Sequence, residues 1–208
     1  MGYRVVCVSG PDGAYMREVA RGLAGRLGFV LVDEEIVLRA AAEAGLEPEV
    51  VASAEARRSF LERALGGLGS NLDGATLTGA GGLAIPDFPL SEELRGLIRS
   101  AIEETADRGD VVIVAHAASH ALASRADVLR VLVTASPSVR RPRIATERDL
   151  SDKEAARFAE KSDAGRADYL KRFYGAPSEL PTQYDLVVNT DRLSPTDAVG
   201  VVALAAGR

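Results

Sequence analysis

Five short apolar runs constrain this 208-residue chain more than any other feature: residues 5–9, 29–32, 111–115, 128–134 and 186–189. They are rich in Val, Leu and Ile and show little polar alternation. A strand with one wet face alternates, whereas a parallel strand covered on both faces stays apolar throughout. Helical segments fall between the runs, at 17–27, 34–44, 48–65, 91–108 and 138–148, then from Asp152 onward and from Pro195 to about Ala205. Ser91 is a suitable N-cap, Ser151 and Glu154 have capping-box spacing, and Ser194-Pro195 puts proline at the first helical position. Strands that alternate with helices predict a three-layer α/β fold around a parallel sheet.

Composition narrows the partners. With 47% apolar and 26% charged residues the chain is expected to be globular, and its length suits a single domain with a substantial core. A net charge of -5 argues against nucleic acid as a partner. No apolar run approaches the ~18 residues of a membrane span. The opening residues lack a signal-peptide layout, and a single cysteine, Cys7, excludes an internal disulfide. The expectation is a cytoplasmic protein with no membrane association. The segment 66–89, with seven glycines between Gly66 and Gly82, reads as a surface loop or as a flap over a substrate.

The first run leads into Gly10-Pro11-Asp12-Gly13-Ala14-Tyr15-Met16-Arg17 and then a helix. Strand, glycine turn, helix is the layout that aims backbone N–H groups and a helix N-terminus at an anion. It is also the layout of an ordinary tight turn in any α/β protein. A full phosphate-loop motif requires glycine, lysine and a hydroxyl where this chain has Tyr15, Met16 and Arg17. The basic residues sharpen the point: of 25, only Lys153, Lys161 and Lys171 are lysine, so none lies near the turn.

The chain resembles the cytidylate kinase-like family, a branch of the P-loop nucleoside monophosphate kinases. At the N-terminal end the resemblance rests on residues 5–9, the glycine turn, Arg17-Glu18-Val19-Ala20 and residues 27–33. Toward the other end it rests on Leu150-Ser151, Glu154-Ala155, Asp163, Arg166, Tyr169, Lys171-Arg172-Phe173-Tyr174-Gly175 and residues 184–190. It implies a P-loop NTPase-like fold over residues 1–208, with a five-stranded parallel sheet, an acceptor-side region near 34–108 and a helical lid near 139–174. It also implies ATP over the first turn, Mg²⁺ as cofactor, and transfer of the γ-phosphoryl group to a small-molecule nucleotide. A homodimer is left open.

By their place against the family pattern, Arg140, Arg143 and Arg166 are assigned to catalysis. Ser9, Gly10, Gly13, Ala14 and Arg17 are assigned to phosphate or nucleotide binding, and Asp33 and His116 to the acceptor. Arginine forks suit phosphate oxygens, but a solvated basic helix face has the same composition. Arg17 equally suits a surface ion pair, Asp33 an N-cap, and His116 a neutral internal histidine. Asp163 is placed to orient Arg166 or to form a helix pair. His116 and His120 lie four apart with no glutamate following, so no zinc site is read. Tyr15, Met16 and His116 depart from the family pattern. They support the alternative of a catalytically impaired nucleotide-binding or regulatory relative.

Overall fold

The apolar runs pair side by side in one five-stranded parallel sheet in our computed structural model, which describes residues 2–33, 92–115, 118–176 and 178–207. The strands are β1 (Val5–Ser9), β2 (Val30–Asp33), β3 (Val111–Val114), β4 (Val128–Thr134) and β5 (Leu186–Asn189), arranged β2-β3-β1-β4-β5. The helices are α1 (Met16–Leu27), α2 (Glu92–Arg108), α3 (Ala118–Ala121), α4 (Pro137–Arg148), α5 (Asp152–Tyr174) and α6 (Pro195–Ala205), with a 3-10 turn at Pro181–Gln183. The helices expected at 34–44 and 48–65, the glycine-rich segment 66–89 and His116 lie outside the described residues.

β1 is the hub. It pairs with β3 from Val5↔Val111 to Val8↔Val114, and with β4 from Val5↔Val128 to Ser9↔Leu132. All its residues are fully buried. Successive side chains point to opposite faces. Val6 and Val8 meet Val19 and Leu23 of α1 and Val199 and Val202 of α6, while Val5 and Cys7 meet Ile102 and Ala106 of α2. Both faces are therefore covered, which is why the run shows no alternation. Burial pushes the Cys7 thiol up to about 12, so it stays protonated and inert. A Cβ on Gly22 would sit 2.9 Å from Val199 Cγ2, so glycine there lets α1 and α6 pack closely.

Three strands have the bounds read from sequence. β2 begins one residue later because Phe29 is occupied in ending α1. Gly28 is left-handed at φ 69, and the Gly28 and Phe29 N–H groups both donate to Ala24 O. α4 and α5 form a helical hairpin that closes over Ile144, Ala155 and Ala159. The capping box opening α5 is formed: Ser151 N donates to Glu154 Oε2 at 2.9 Å, and Ser151 Oγ accepts from Glu154 N at 3.4 Å. Ser194 and Asp197 repeat this arrangement at α6. Ser151→Ala should cost ~1 kcal/mol of stability, read as a lower urea midpoint with an unchanged m-value.

Candidate functional site

The chain leaves β1 where the strand order changes direction, with β3 on one side and β4 on the other. Open parallel sheets place their ligand crevice at the carboxyl ends of such strands. The turn there is built tightly. A Cβ on Gly10 would meet Val133 O at 2.2 Å, so the backbone lies directly on β4. Gly13 has φ +76, and a Cβ there would meet Arg140 O at 2.8 Å. Tyr15, the N-cap of α1, is also left-handed at φ 63, a strain of about 1–2 kcal/mol for a side chain with a Cβ. Its ring lies under Arg143, with Cζ 3.9 Å from the ring centroid. This cation–π contact offsets part of the strain and turns the ring toward α4.

Three successive carbonyls of the turn are tied back. Asp12 O accepts from Arg140 Nη1 at 3.2 Å, Gly13 O from Arg143 Nη1 at 3.1 Å, and Ala14 O from Thr190 Oγ1 at 3.0 Å. Arg143 Nη2 also donates to Thr190 O at 2.7 Å, joining the turn to the end of β5. The Asp12 carboxylate accepts from Ser162 Oγ at 2.5 Å and lies 3.9 Å from Arg148 Nη2. The first intrahelical bond of α1 runs from Val19 N to Tyr15 O, and Tyr15 provides no side-chain cap. The first turn of α1 thus carries the positive end of the helix dipole with no side-chain cap from its N-cap residue.

Beside the turn lies a cleft of about 240 Å³, whose lining includes Pro11, Arg140, Asp163, Arg166 and Glu179. Arg140 is 4% exposed, and its fork meets Asp163 through Nη1–Oδ1 at 2.9 Å and Nη2–Oδ2 at 2.5 Å. Its Nε is buried without a hydrogen-bond partner among the described residues. Arg166 is 6% exposed and donates to Glu179 through Nε at 2.9 Å and through Nη2. Tyr184 Oη donates to the same Glu179 carboxylate. Burial tends to raise the Glu179 pKa, but Arg166 and the Tyr184 hydroxyl overcome it and hold the carboxyl below its ordinary value. Burial, followed by the Glu179 charge, pushes the Tyr184 phenol up, so it stays a donor.

The residues expected from sequence thus fall into three groups. Arg140 and Arg166 reach the cleft, while Arg143 is spent on the turn, on Thr190 and on the Tyr15 ring. Arg17 lies 4.0 Å from Asp33 Oδ2 at the end of β2, so a residue expected on the donor side meets one expected on the acceptor side. Ser9 is fully buried, and its hydroxyl donates to Ala115 O at 2.8 Å. Ala14 is buried and takes part in the turn through its backbone. Asp163 sits on Arg140. Sequence reasoning missed Asp12, Glu179, Tyr184 and Thr190 as parts of the site. Tyr184 and Thr190 lie within the matched 184–190 run, but were read there as bounds of a strand.

A parallel sheet in this strand order, with an uncapped helix N-terminus at the end of its central strand, defines a P-loop kinase-like α/β protein. The likeness extends to solved structures. An uncharacterized protein from Eubacterium ventriosum aligns over 98% of both chains with a TM-score of 0.67 at 12% identity. Shikimate kinase from Bacteroides thetaiotaomicron aligns over 98% of both with a TM-score of 0.51 at 15% identity. At such identities the likeness is one of fold. The chain belongs to the cytidylate kinase-like family, whose sequence profile matches residues 5–192. Cytidylate kinases of Pyrobaculum neutrophilum and Pyrobaculum arsenaticum are each 34% identical to it over 110 residues. That match spans 52% of this chain and 59% of each relative. No helix among the described residues is long and apolar enough to cross a membrane.

Two outcomes follow from the geometry. Arg143→Ala removes guanidinium donors from Gly13 O and Thr190 O. It should cost ~1–3 kcal/mol in urea unfolding, and an unchanged midpoint would show that the turn holds without it. His120 Nε2 is buried without a hydrogen-bond partner among the described residues, and burial lowers its pKa below 6.5. As pH falls through 6.5 the unfolded chain takes up this proton first, so stability declines from there toward the lower folded value. His120→Gln should flatten the decline between about pH 7 and 5. Glu147 works the other way near its ordinary value of 4.5, since burial and Glu18 raise it, so the readout is the difference between variant and parent.

Proposed function

We propose that the chain is a phosphotransferase that moves the γ-phosphoryl group of ATP to a nucleoside monophosphate, with CMP the first acceptor to test. The observation that carries this reading is the turn at residues 10–15. Its carbonyls at Asp12, Gly13 and Ala14 are taken up by Arg140, Arg143 and Thr190, and Tyr15 places no side-chain cap on the first turn of α1. Phosphate oxygens require donors, and a carbonyl aimed into the site would repel them. With no lysine within the turn itself, the positive charge comes from Arg140, Arg166 and the helix dipole. The acceptor would lie toward Asp33 and His116.

The residues present fit a polyphosphate better than a protein-held metal. Among the described residues no group of three His, Cys, Asp or Glu side chains is arranged to hold a metal ion. A Mg²⁺ ion would be held by the nucleotide's own phosphates, and when bound it neutralises charge on the transferred group. This chain's contribution is then to orient the phosphates on the first turn of α1 and to stabilise charge with arginine. A positioned cation of that kind is worth several kcal/mol in the transition state.

One observation favours a second reading, of nucleotide binding without transfer. Both cleft arginines are already paired with carboxylates, and a tyrosine occupies a glycine position of the turn. Titration calorimetry with ATP, ADP and CMP, with and without Mg²⁺, combined with a coupled transfer assay, separates the two. Binding with turnover supports the first reading, and binding without turnover the second. No binding at millimolar nucleotide overturns both. If transfer occurs, Arg166→Ala should lower kcat by ~10²-fold or more with the far-UV circular dichroism unchanged.

A further inference from the structure

The cleft beside the turn is electrically balanced among the described residues. Of these, the charged groups lining it are two arginines, Arg140 and Arg166, and two carboxylates, Asp163 and Glu179. Each arginine lies within hydrogen-bond reach of one carboxylate. An anion entering a cleft of zero net charge gains little, and it must also break an existing charge-assisted pair. The two pairs are not built alike. Asp163 sits within α5, where the helix backbone fixes its position. Glu179 sits outside regular structure, between the end of α5 at Tyr174 and the 3-10 turn at Pro181.

Glu179 also makes the contacts a bound phosphoryl group would make. One of its oxygens accepts from Arg166 Nε at 2.9 Å, and the other accepts from Arg166 Nη2 and from Tyr184 Oη. This is a planar fork plus a hydroxyl donor, converging on two oxygens of an anion. Arg166 and Tyr184 are 6% and 7% exposed, so the donors are desolvated and held in place. Buried donors of this kind need an anion at all times, because an uncompensated buried guanidinium costs several kcal/mol.

We propose that Glu179 is an internal stand-in for a phosphoryl group: it satisfies Arg166 and Tyr184 in the ligand-free protein and withdraws when a phosphoryl anion enters the cleft. Glu179 thereby sets the anion affinity of the cleft by competition. The proposal rests on the phosphate-handling reading above, but it concerns binding and requires no transfer. It assigns Glu179 a role opposite to that of a catalytic carboxylate, since its removal improves binding. Tyr184 becomes a positioning residue, holding whichever anion is present against Arg166.

The probe is inorganic pyrophosphate, titrated calorimetrically into the full chain. Glu179→Gln keeps the side-chain size, removes the charge and brings the described lining of the cleft to net charge +1. It should tighten pyrophosphate binding about tenfold. Adding Arg166→Gln to that variant should abolish the gain. In the unmutated protein, saturating pyrophosphate should speed amide hydrogen exchange at residues 178–180 as Glu179 lets go, and this readout needs no variant to fold. Unchanged or weaker binding by a folded Glu179→Gln protein overturns the proposal. So does a gain that survives Arg166→Gln, or exchange at 178–180 that is unchanged or slowed. No pyrophosphate binding by either protein also overturns it. Tighter pyrophosphate binding by the variant, with no ATP binding by the parent, would uphold the competition and overturn the nucleotide reading instead.

Discussion

The complete burial of β1 governs the rest of the molecule. A strand hydrogen-bonded on both edges and covered on both faces has one way out, through its ends. The chain therefore turns sharply at Gly10, with its backbone against Val133 O, and enters α1 within a few residues. The site follows from that turn. It places a helix N-terminus at the end of the central strand, and α4 and the end of β5 are near enough to grip the carbonyls between.

Arginine shapes the chemistry of that grip. A lysine in a phosphate loop is one mobile charge that can leave when the ligand leaves. An arginine fork spreads its charge over several donors and, once buried, requires acceptors whether or not a ligand is present. Arg143 finds them on Gly13, Thr190 and the Tyr15 ring, Arg140 on Asp12 and Asp163, and Arg166 on Glu179. Some of these partners are structural and some lie where a ligand would compete. These contacts hold the turn from outside it, which explains how it keeps its shape with Tyr15 and Met16 in place.

Much of the fold was legible in the sequence. The apolar runs became strands because a doubly covered strand has a compositional signature, and Ser151 and Ser194 became caps because capping is local. β2 shifted by one residue because Phe29 was claimed by the end of α1, and the four-residue α3 was too short to show a helical period. The site was less legible. Arg140 and Arg166 were expected to matter, but their partners were not foreseen. The Asp163–Arg140 bond spans 23 positions and the Thr190–Ala14 bond 176, and no periodicity reports a contact at such separations. The turn read as degenerate because a motif names residue types at the turn itself. The donors that organise its carbonyls come from α4 and the end of β5.

The bond from Thr190 to Ala14 carries a consequence for how the molecule comes into being. It joins the first loop of the sheet to the end of the last strand, and Arg143 reaches that same residue. This last tie of the turn is thus a late event, subject to the entropy of closing a very long loop. A nascent chain whose β5 has not yet been synthesised can form β1, β3 and β4, with Arg143 available to Gly13 but Ala14 still lacking Thr190. The last tie of the turn therefore forms only once the closing strand is in place.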